Sequence, residues 1–210
     1  MAEQVFPTKG NLISAKKSLA LSQVGYELMD RKRNILVREM MARIDKANEL
    51  KSKIDITFKM AYAALQDANI QNGLVSLLVN MTKIESGLSI NYSSVMGVEL
   101  PEVLLEETEI KPEYGLYNTD SSFDYAFLRF VEVKKLLAVL AETENSVYRL
   151  AQAIKKTQKR ANSLKNVVIP RFGGIVKYIS SYLEEKERED FSRLKVIKRG
   201  KEKSRPDESI

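Results

Sequence analysis

Apolar residues recur along two long stretches of the chain with the spacing of a coiled coil. Positions from Leu12 to Ala68 take sixteen steps over 56 residues, a mean of 3.5, and positions from Phe130 to Ile179 take fourteen steps over 49 residues with the same mean. A period of 3.5 residues is typical of helices that wind around each other, whereas a straight helix repeats every 3.6 residues. The pattern therefore predicts two long helices that pack along their lengths.

Neither helix can bury its apolar side alone, so the two are expected to fold back into an antiparallel pair. If they meet near Ala68 and Phe130, Tyr26 is predicted to face Phe172, Met40 to face Gln158 and Ile54 to face Glu144. The polar Glu144 and Gln158 either lie at the flank of the seam or fix its register. The predicted seam residues are Leu19, Tyr26, Leu36, Met40, Leu50, Ile54, Phe58, Leu65, Leu137, Leu140, Val147, Ile154, Leu164, Val168, Phe172 and Ile179.

The middle of the chain has a different pattern. Leu74–Met81 is compatible with a short helix, and Gly87–Val98 alternates apolar and polar residues as a strand does. A turn near Met96-Gly97 and a return arm through Val103 predict a β-hairpin, and Pro101 places the return arm at a sheet edge.

The predicted fold is mainly α: a long antiparallel two-helix coiled coil with a small central insert that contains a short helix and a β-hairpin. Residues 1–70 form the first helix, 71–121 the insert, 122–199 the second helix and 200–210 a flexible tail. Asp120-Ser121-Ser122 offers several N-caps for the second helix. Pro170 predicts a bend in it, softened by Gly173 and Gly174, although a break into two shorter helices is the alternative.

Composition removes several classes of enzyme. The chain of 210 residues has no Cys and no His, so it lacks a thiol nucleophile, a disulfide framework and the commonest metal ligand and general base. It also lacks phosphate-binding glycine loops and clustered metal ligands. We therefore expect no catalytic residue, no metal site and no cofactor. Without a long apolar run or signal-peptide pattern, a soluble, intracellular protein is expected.

Charge is unevenly distributed around a net value of +6. Gln152–Arg171 contains six basic and no acidic residues, whereas Glu99–Asp124 contains eight acidic residues and one basic residue. Seven of the thirteen residues in Arg193–Arg205 are basic. This last segment is either a solvated helix end or a tip that moves within a protein collar. Nucleic-acid binding stays open, but no interleaved aromatic residues support it.

Several motifs resemble the D subunit of the V-type and archaeal-type (A-type) rotary ATPases. Near the N-terminus these are Pro7-Thr8-Lys9 and Gly25-Tyr26-Glu27-Leu28-Met29, and Glu113-Tyr114-Gly115 precedes the second helix. Near the C-terminus the similar segments are Lys159-Arg160-Ala161-Asn162-Ser163-Leu164, Ile169-Pro170-Arg171, Lys177-Tyr178-Ile179 and Arg193-Leu194-Lys195. Met29, Asn34 and the Gly173-Gly174 pair depart from the family's usual residues.

The resemblance implies a non-catalytic central rotor shaft that couples ATP synthesis or hydrolysis to H⁺ or Na⁺ transport. Its implied partners are the A and B subunits of the catalytic hexamer, the F subunit on the side of the shaft and the funnel-shaped C subunit above the membrane ring. The implied location is cytoplasmic and peripheral to the membrane. A coiled-coil scaffold or chaperone-like hairpin, and a basic nucleic-acid binder, are the alternatives.

The same resemblance makes basic residues of the two long helical stretches candidates for contact with the hexamer. These candidates are Lys9, Lys16, Lys17, Arg31, Arg33, Lys155, Lys156, Lys159, Arg160, Lys165 and Arg171.

Overall fold

Two long helical stretches precede and follow a small hairpin along the chain. The computed structural model describes residues 5–73, 87–105, 114 and 119–203, with side chains up to residue 201. The elements are helix α1 (Lys9–Asn72), strands β1 (Leu88–Val95) and β2 (Val98–Leu105), helix α2 (Ser121–Ser163), a π-helical turn (Leu164–Val168) and helix α3 (Ile169–Lys203). The predicted mainly α fold with a central hairpin is confirmed. The predicted short helix at Leu74–Met81 lies outside the described residues.

The helix ends follow local sequence signals. Thr8 caps α1, because its Oγ1 accepts the backbone N–H of Asn11 at 3.2 Å, which satisfies one of the donors left open in a first helical turn. Helix α2 begins at Ser121, so Asp120 takes the N-cap position, and its carbonyl accepts the N–H of Phe123 at 2.9 Å.

The chain remains helical through Pro170, with no non-helical residue between Ser121 and Lys203. A proline cannot donate to the carbonyl four residues earlier and collides with it in a regular helix. The π-helical turn comes directly before this position, and the N–H of Ile169 donates to the carbonyl of Leu164. Helix α3 extends to Lys203, so residues 200–203 belong to the helix and not to the predicted tail.

The chain divides into two compact units. We call Met1–Arg31 with Thr157–Ile210 the first unit and Lys32–Lys156 the second unit. In the first unit, α1 lies antiparallel to the C-terminal helical stretch. Leu164 lies 3.9 Å from the position of a Cβ on Gly25, and Lys9 forms an ion pair with Glu187 at 3.3 Å. Ala15, Ala161 and Ile179 are its buried apolar residues among those described.

One core of the second unit lies where α1 ends and α2 begins. Ala64, Ala68, Tyr114, Phe123 and Ala126 form a buried cluster. The ring of Tyr114 meets that of Phe123 edge to face at 4.6 Å, a favoured aromatic geometry. The Tyr114 hydroxyl donates to Asp124 Oδ1 at 2.5 Å. Burial of the phenol, together with this carboxylate, raises the pKa of Tyr114 above its ordinary value.

A second core of the same unit lies beneath the hairpin. Leu36 of α1, Leu100 of β2 and Leu150 of α2 form a buried cluster. Val95 and Val98, which are paired beside the hairpin turn, pack against it. The hairpin is therefore held on the helix pair by the face that carries Leu100.

The register of the helix pair differs from the predicted one by about one heptad. Lys165, rather than Phe172, lies over the ring of Tyr26, at 5.8 Å from its centroid. In the second unit, Met40 packs against the cluster that contains Leu150 instead of facing Gln158. A heptad repeat causes this ambiguity, because sliding one helix by seven residues again places apolar positions opposite each other.

Burial along α2 also differs from the predicted seam in one stretch. Leu137 is 39% exposed, and Glu144 and Ala151 are also exposed. The buried residues there are Thr143, Ser146 and Leu150. The buried side is thus shifted by about one residue where α2 also packs against the hairpin cluster.

The hairpin turn has a backbone that suits glycine or asparagine better than methionine. Met96 has φ of 52° and Gly97 has φ of 73°, and two positive φ angles define the turn type favoured in two-residue hairpins. We expect Met96→Asn to stabilise the hairpin by roughly 0.5–1 kcal/mol, because asparagine tolerates this conformation better. Hydrogen exchange of the β1 and β2 amides would measure the gain.

Gly97→Ala is the matched opposite change. No heavy atom lies within 4 Å of a Cβ placed on Gly97, so the variant adds backbone strain without a collision. It should destabilise the hairpin by about 1 kcal/mol. Equal exchange rates in both variants would contradict this account of the turn.

Candidate partner-contact surface

The first unit gathers most of the candidate contact residues. Its members of that set are Lys9, Lys16, Lys17, Arg31, Lys159, Arg160, Lys165 and Arg171, and all of them are exposed. Over the ranges 5–31 and 157–179 the sequence has nine basic residues and two acidic residues, Glu27 and Asp30. We call the eight candidate residues of the first unit the basic surface. A surface with such an excess of one sign attracts and orients a partner of opposite charge.

Two of these cations have defined neighbours within the first unit. The ammonium group of Lys165 lies over the face of the Tyr26 ring, and this electron-rich face attracts the cation. Arg31 Nη2 lies 3.9 Å from Glu27 Oε2, one turn earlier along α1. Both members of this pair are largely exposed, and such ion pairs contribute about 0–1 kcal/mol. The guanidinium of Arg31 therefore stays accessible to a partner.

The second unit holds the other candidates, so the structure assigns them to a different body from the basic surface. Arg33 is partly buried and donates from Nε and Nη2 to Asn34 Oδ1 at 3.3 and 3.1 Å. Lys155 and Lys156 are exposed near the C-terminal limit of the unit on α2.

The predicted seam residues occupy a range of environments. Leu36, Ile54 and Ile179 are buried, and Leu137 is exposed. The remaining members are partly buried: Leu19, Tyr26, Met40, Leu50, Phe58, Leu65, Leu140, Val147, Ile154, Leu164, Val168 and Phe172. Of the predicted kink residues, Pro170 and Gly174 are exposed and Gly173 is partly buried. No heavy atom lies within 4 Å of a Cβ placed on Gly173 or Gly174.

Sequence reasoning missed the exposed apolar residues of α3. Phe191, Leu194, Val196 and Ile197 are all more than half exposed, on a helix whose described side chains from 184 onward are exposed throughout. The signal was present in the sequence, since these four apolar residues interrupt a strongly charged segment. Their exposure adds apolar area to the basic C-terminal end.

The described ranges contain neither a cluster of metal-binding side chains nor a helix that could span a membrane. Among those residues, no three His, Cys, Asp or Glu side chains approach closely enough to hold a metal ion. Within the same ranges, no helix has the length and apolar character required to cross a bilayer.

Comparison with known proteins gives a consistent result. The family model described as the ATP synthase D subunit matches residues 11–199. The chain is 43% identical over 196 residues to the V-type ATP synthase D subunit of Thermotoga neapolitana, covering 92% of this chain and 97% of that protein. It is 34% identical over 200 residues to the A-type ATP synthase D subunit of Pyrococcus furiosus, covering 93% and 94%.

A third relative agrees with these two. The A-type ATP synthase D subunit of Methanosphaera stadtmanae is 31% identical over 198 residues, covering 92% of each chain. The family match spans nearly all of α1, the hairpin, α2 and most of α3. The chain therefore belongs to the family of ATP synthase D subunits.

Proposed function

We propose that this protein is the non-catalytic central rotor shaft of a V/A-type ion-translocating ATPase or ATP synthase. The observation that carries the proposal is the family match over residues 11–199, which covers both long helical stretches. Antiparallel helix packing within each unit agrees with a shaft that transmits torque. The alternatives of an unrelated scaffold and of a nucleic-acid binder receive no support from these relatives.

Coupling would follow from differential contact between the shaft and the catalytic hexamer of A and B subunits. A shaft that presents a different side to each catalytic site contacts each conformation of that site differently. Rotation then changes which conformation is favoured, because a ligand shifts an equilibrium only by its difference in affinity for the two states. By this route, ATP synthesis or hydrolysis in the hexamer is linked to rotation of the ring and to H⁺ or Na⁺ transport.

The charge of the first unit suggests which end meets the hexamer. The basic surface and the exposed apolar residues of α3 belong to the same unit. Charged side chains steer docking, while the apolar residues supply area that water would otherwise cover. We therefore assign this unit to the A and B subunits.

The remaining partners follow the family resemblance. The F subunit would bind the side of the shaft, and the funnel-shaped C subunit would bind the central insert. The protein would then lie on the cytoplasmic side as a peripheral part of the membrane complex.

Reconstitution tests this function directly. Vesicles that contain the remaining subunits should hydrolyse ATP without ion transport when the chain is absent, and should regain transport when it is added. Co-purification of the chain with the nucleotide-binding subunits should accompany this recovery. Normal ion transport without the chain, or recovery of the chain with RNA or DNA in place of these subunits, would contradict the proposal.

A further inference from the structure

Strand β2 has a second edge, opposite β1, that meets two charged side chains of α2. The backbone N–H of Val103 donates to Glu142 Oε2 at 3.0 Å. Four residues earlier, the carbonyl of Glu99 accepts a hydrogen bond from Arg149 Nη1 at 3.2 Å. Helix α2 thus contacts the strand backbone with an acceptor at one point and a donor at the other.

Backbone alternation explains why these two points are available. Residues two apart in an antiparallel strand direct their N–H and C=O groups to the same edge. Glu99, Pro101 and Val103 therefore share the edge that faces away from β1. Pro101 has no N–H to donate, so the stretch between the two contacts presents no backbone donor there that needs a partner.

The spacing of the two side chains matches the spacing of the two backbone groups. Glu142 and Arg149 are seven residues apart on one helix, which is two turns and a rise of about 10.5 Å. Glu99 and Val103 are four residues apart on a strand, which is about 13 Å. The long arginine side chain covers the difference, and its guanidinium also lies 5.2 Å from the ring centroid of Tyr92 on β1.

Apolar contacts also hold the hairpin, since Val95 and Val98 pack against the cluster that contains Leu100. Leu100 is its buried residue, whereas every residue of β1 except Val95 is exposed. A two-stranded hairpin is marginally stable by itself in water. Among the described residues, its docking therefore rests on Val95, Val98 and Leu100 and on the two polar contacts made by Glu142 and Arg149.

We propose that Glu142 and Arg149 are positioning residues that fix the hairpin as a rigid side arm of the second unit. Val95, Val98 and Leu100 supply apolar attachment close to the turn, and dispersion and water exclusion are not directional. The two hydrogen bonds to opposite backbone groups set where the strand lies along α2 and at what angle. The hairpin and its helix pair then move as one body. This proposal does not depend on the proposed function.

Hydrogen exchange of the Val103 amide tests the first contact. In the full-length protein, Glu142→Ala should speed exchange of this amide roughly tenfold or more, because the N–H loses a charged acceptor. Glu142→Gln should restore most of the protection, since the amide oxygen can accept the same bond. Glu144→Ala is the matched control, because Glu144 lies two residues away on α2 and is exposed. It should leave the Val103 amide unchanged.

A distance measurement tests whether the arm is fixed. The chain has no native cysteine, so spin labels can be placed at Ser94 on β1 and Gln152 on α2, both exposed. The labelled protein should give one narrow distance distribution by electron–electron double resonance. Glu142→Ala with Arg149→Ala should broaden it, whereas Glu144→Ala with Lys156→Ala should not.

Either of two results would overturn the proposal. One is a broad distribution in the protein that carries only the labels, and the other is a narrow distribution that persists in the double alanine variant. If that variant loses helicity by circular dichroism, Glu142→Gln with Arg149→Met replaces it. In that pair the acceptor for Val103 survives and the donor to the Glu99 carbonyl is lost, so protection should remain at Val103 while the distribution still broadens.

Discussion

Leu150→Ala is expected to lower the free energy of unfolding of the second unit by about 2–5 kcal/mol. Leu150 is fully buried and joins Leu36 of α1 to Leu100 of the hairpin. Truncation removes apolar contacts on three elements at once and leaves a cavity that rigid helices cannot close. Calorimetry should show a lower melting temperature, and exchange of the hairpin amides should accelerate along with that of the adjacent helices.

Leu137→Ala is the control for this variant. It is the same chemical change on the same helix, at a position that the heptad pattern assigns to the seam but that is 39% exposed. We expect a loss below about 1 kcal/mol. If both variants were destabilised equally, the burial described for α2 would be incorrect and the sequence-based seam would be favoured.

Reversing three charges on the basic surface should weaken the proposed binding to the A/B hexamer by about 100-fold or more. Lys159, Arg160 and Lys165 are exposed in the first unit, in a stretch with no acidic residue. Their replacement with glutamate turns attraction to an acidic partner into repulsion, and like charges across an interface are worth several kcal/mol. Titration of the hexamer with the labelled chain at several salt concentrations would measure the effect.

The matched control reverses the same number of charges elsewhere. Lys51, Lys53 and Lys59 are exposed on the part of α1 that belongs to the second unit. Their replacement with glutamate should change the affinity less than about threefold, because charges beyond about 10 Å are screened at physiological salt. Equal losses in the two triple variants would show that net charge, and not the basic surface, governs association.

The seam along α1 could be predicted from sequence, because there a simple heptad pattern coincides with burial. Each position of the series from Leu12 to Ala68 is buried or partly buried. Its members include Ala15, Leu36 and Ala61, which differ greatly in size. The regular spacing of these residues therefore predicts which side of α1 is buried, and their side-chain volumes do not.

The buried side of α2 was harder to predict because polar residues occupy it. Thr143 and Ser146 are each 3% exposed, yet an apolar pattern treats them as surface residues. Thr143 Oγ1 donates to the carbonyl of Val139 at 2.8 Å, so its hydroxyl is satisfied within the helix when buried. Small side chains also leave room for close packing, which a hydrophobicity pattern does not record.

The contacts of charged residues were likewise predictable from the sequence only in part. A count of charges along the chain locates the basic surface, because lysine and arginine are almost always solvated. The contacts of Glu142 and Arg149 with the hairpin are invisible to such a count. They depend on where the outward N–H of Val103 and the carbonyl of Glu99 lie once the strand has formed.

The π-helical turn at Leu164–Val168 determines how α3 is rotated about its own axis relative to the helical segment before it. A π-turn accommodates one more residue than an α-helical turn, so the same residues wound as an ordinary α-helix would rotate everything downstream by up to about 100°. Ile179, which is buried in the first unit, would then leave its present side of α3. The turn therefore acts as an angular offset, and deletion of one residue that converts it to an α-helical turn should disturb the packing of α3 less than conversion without a deletion.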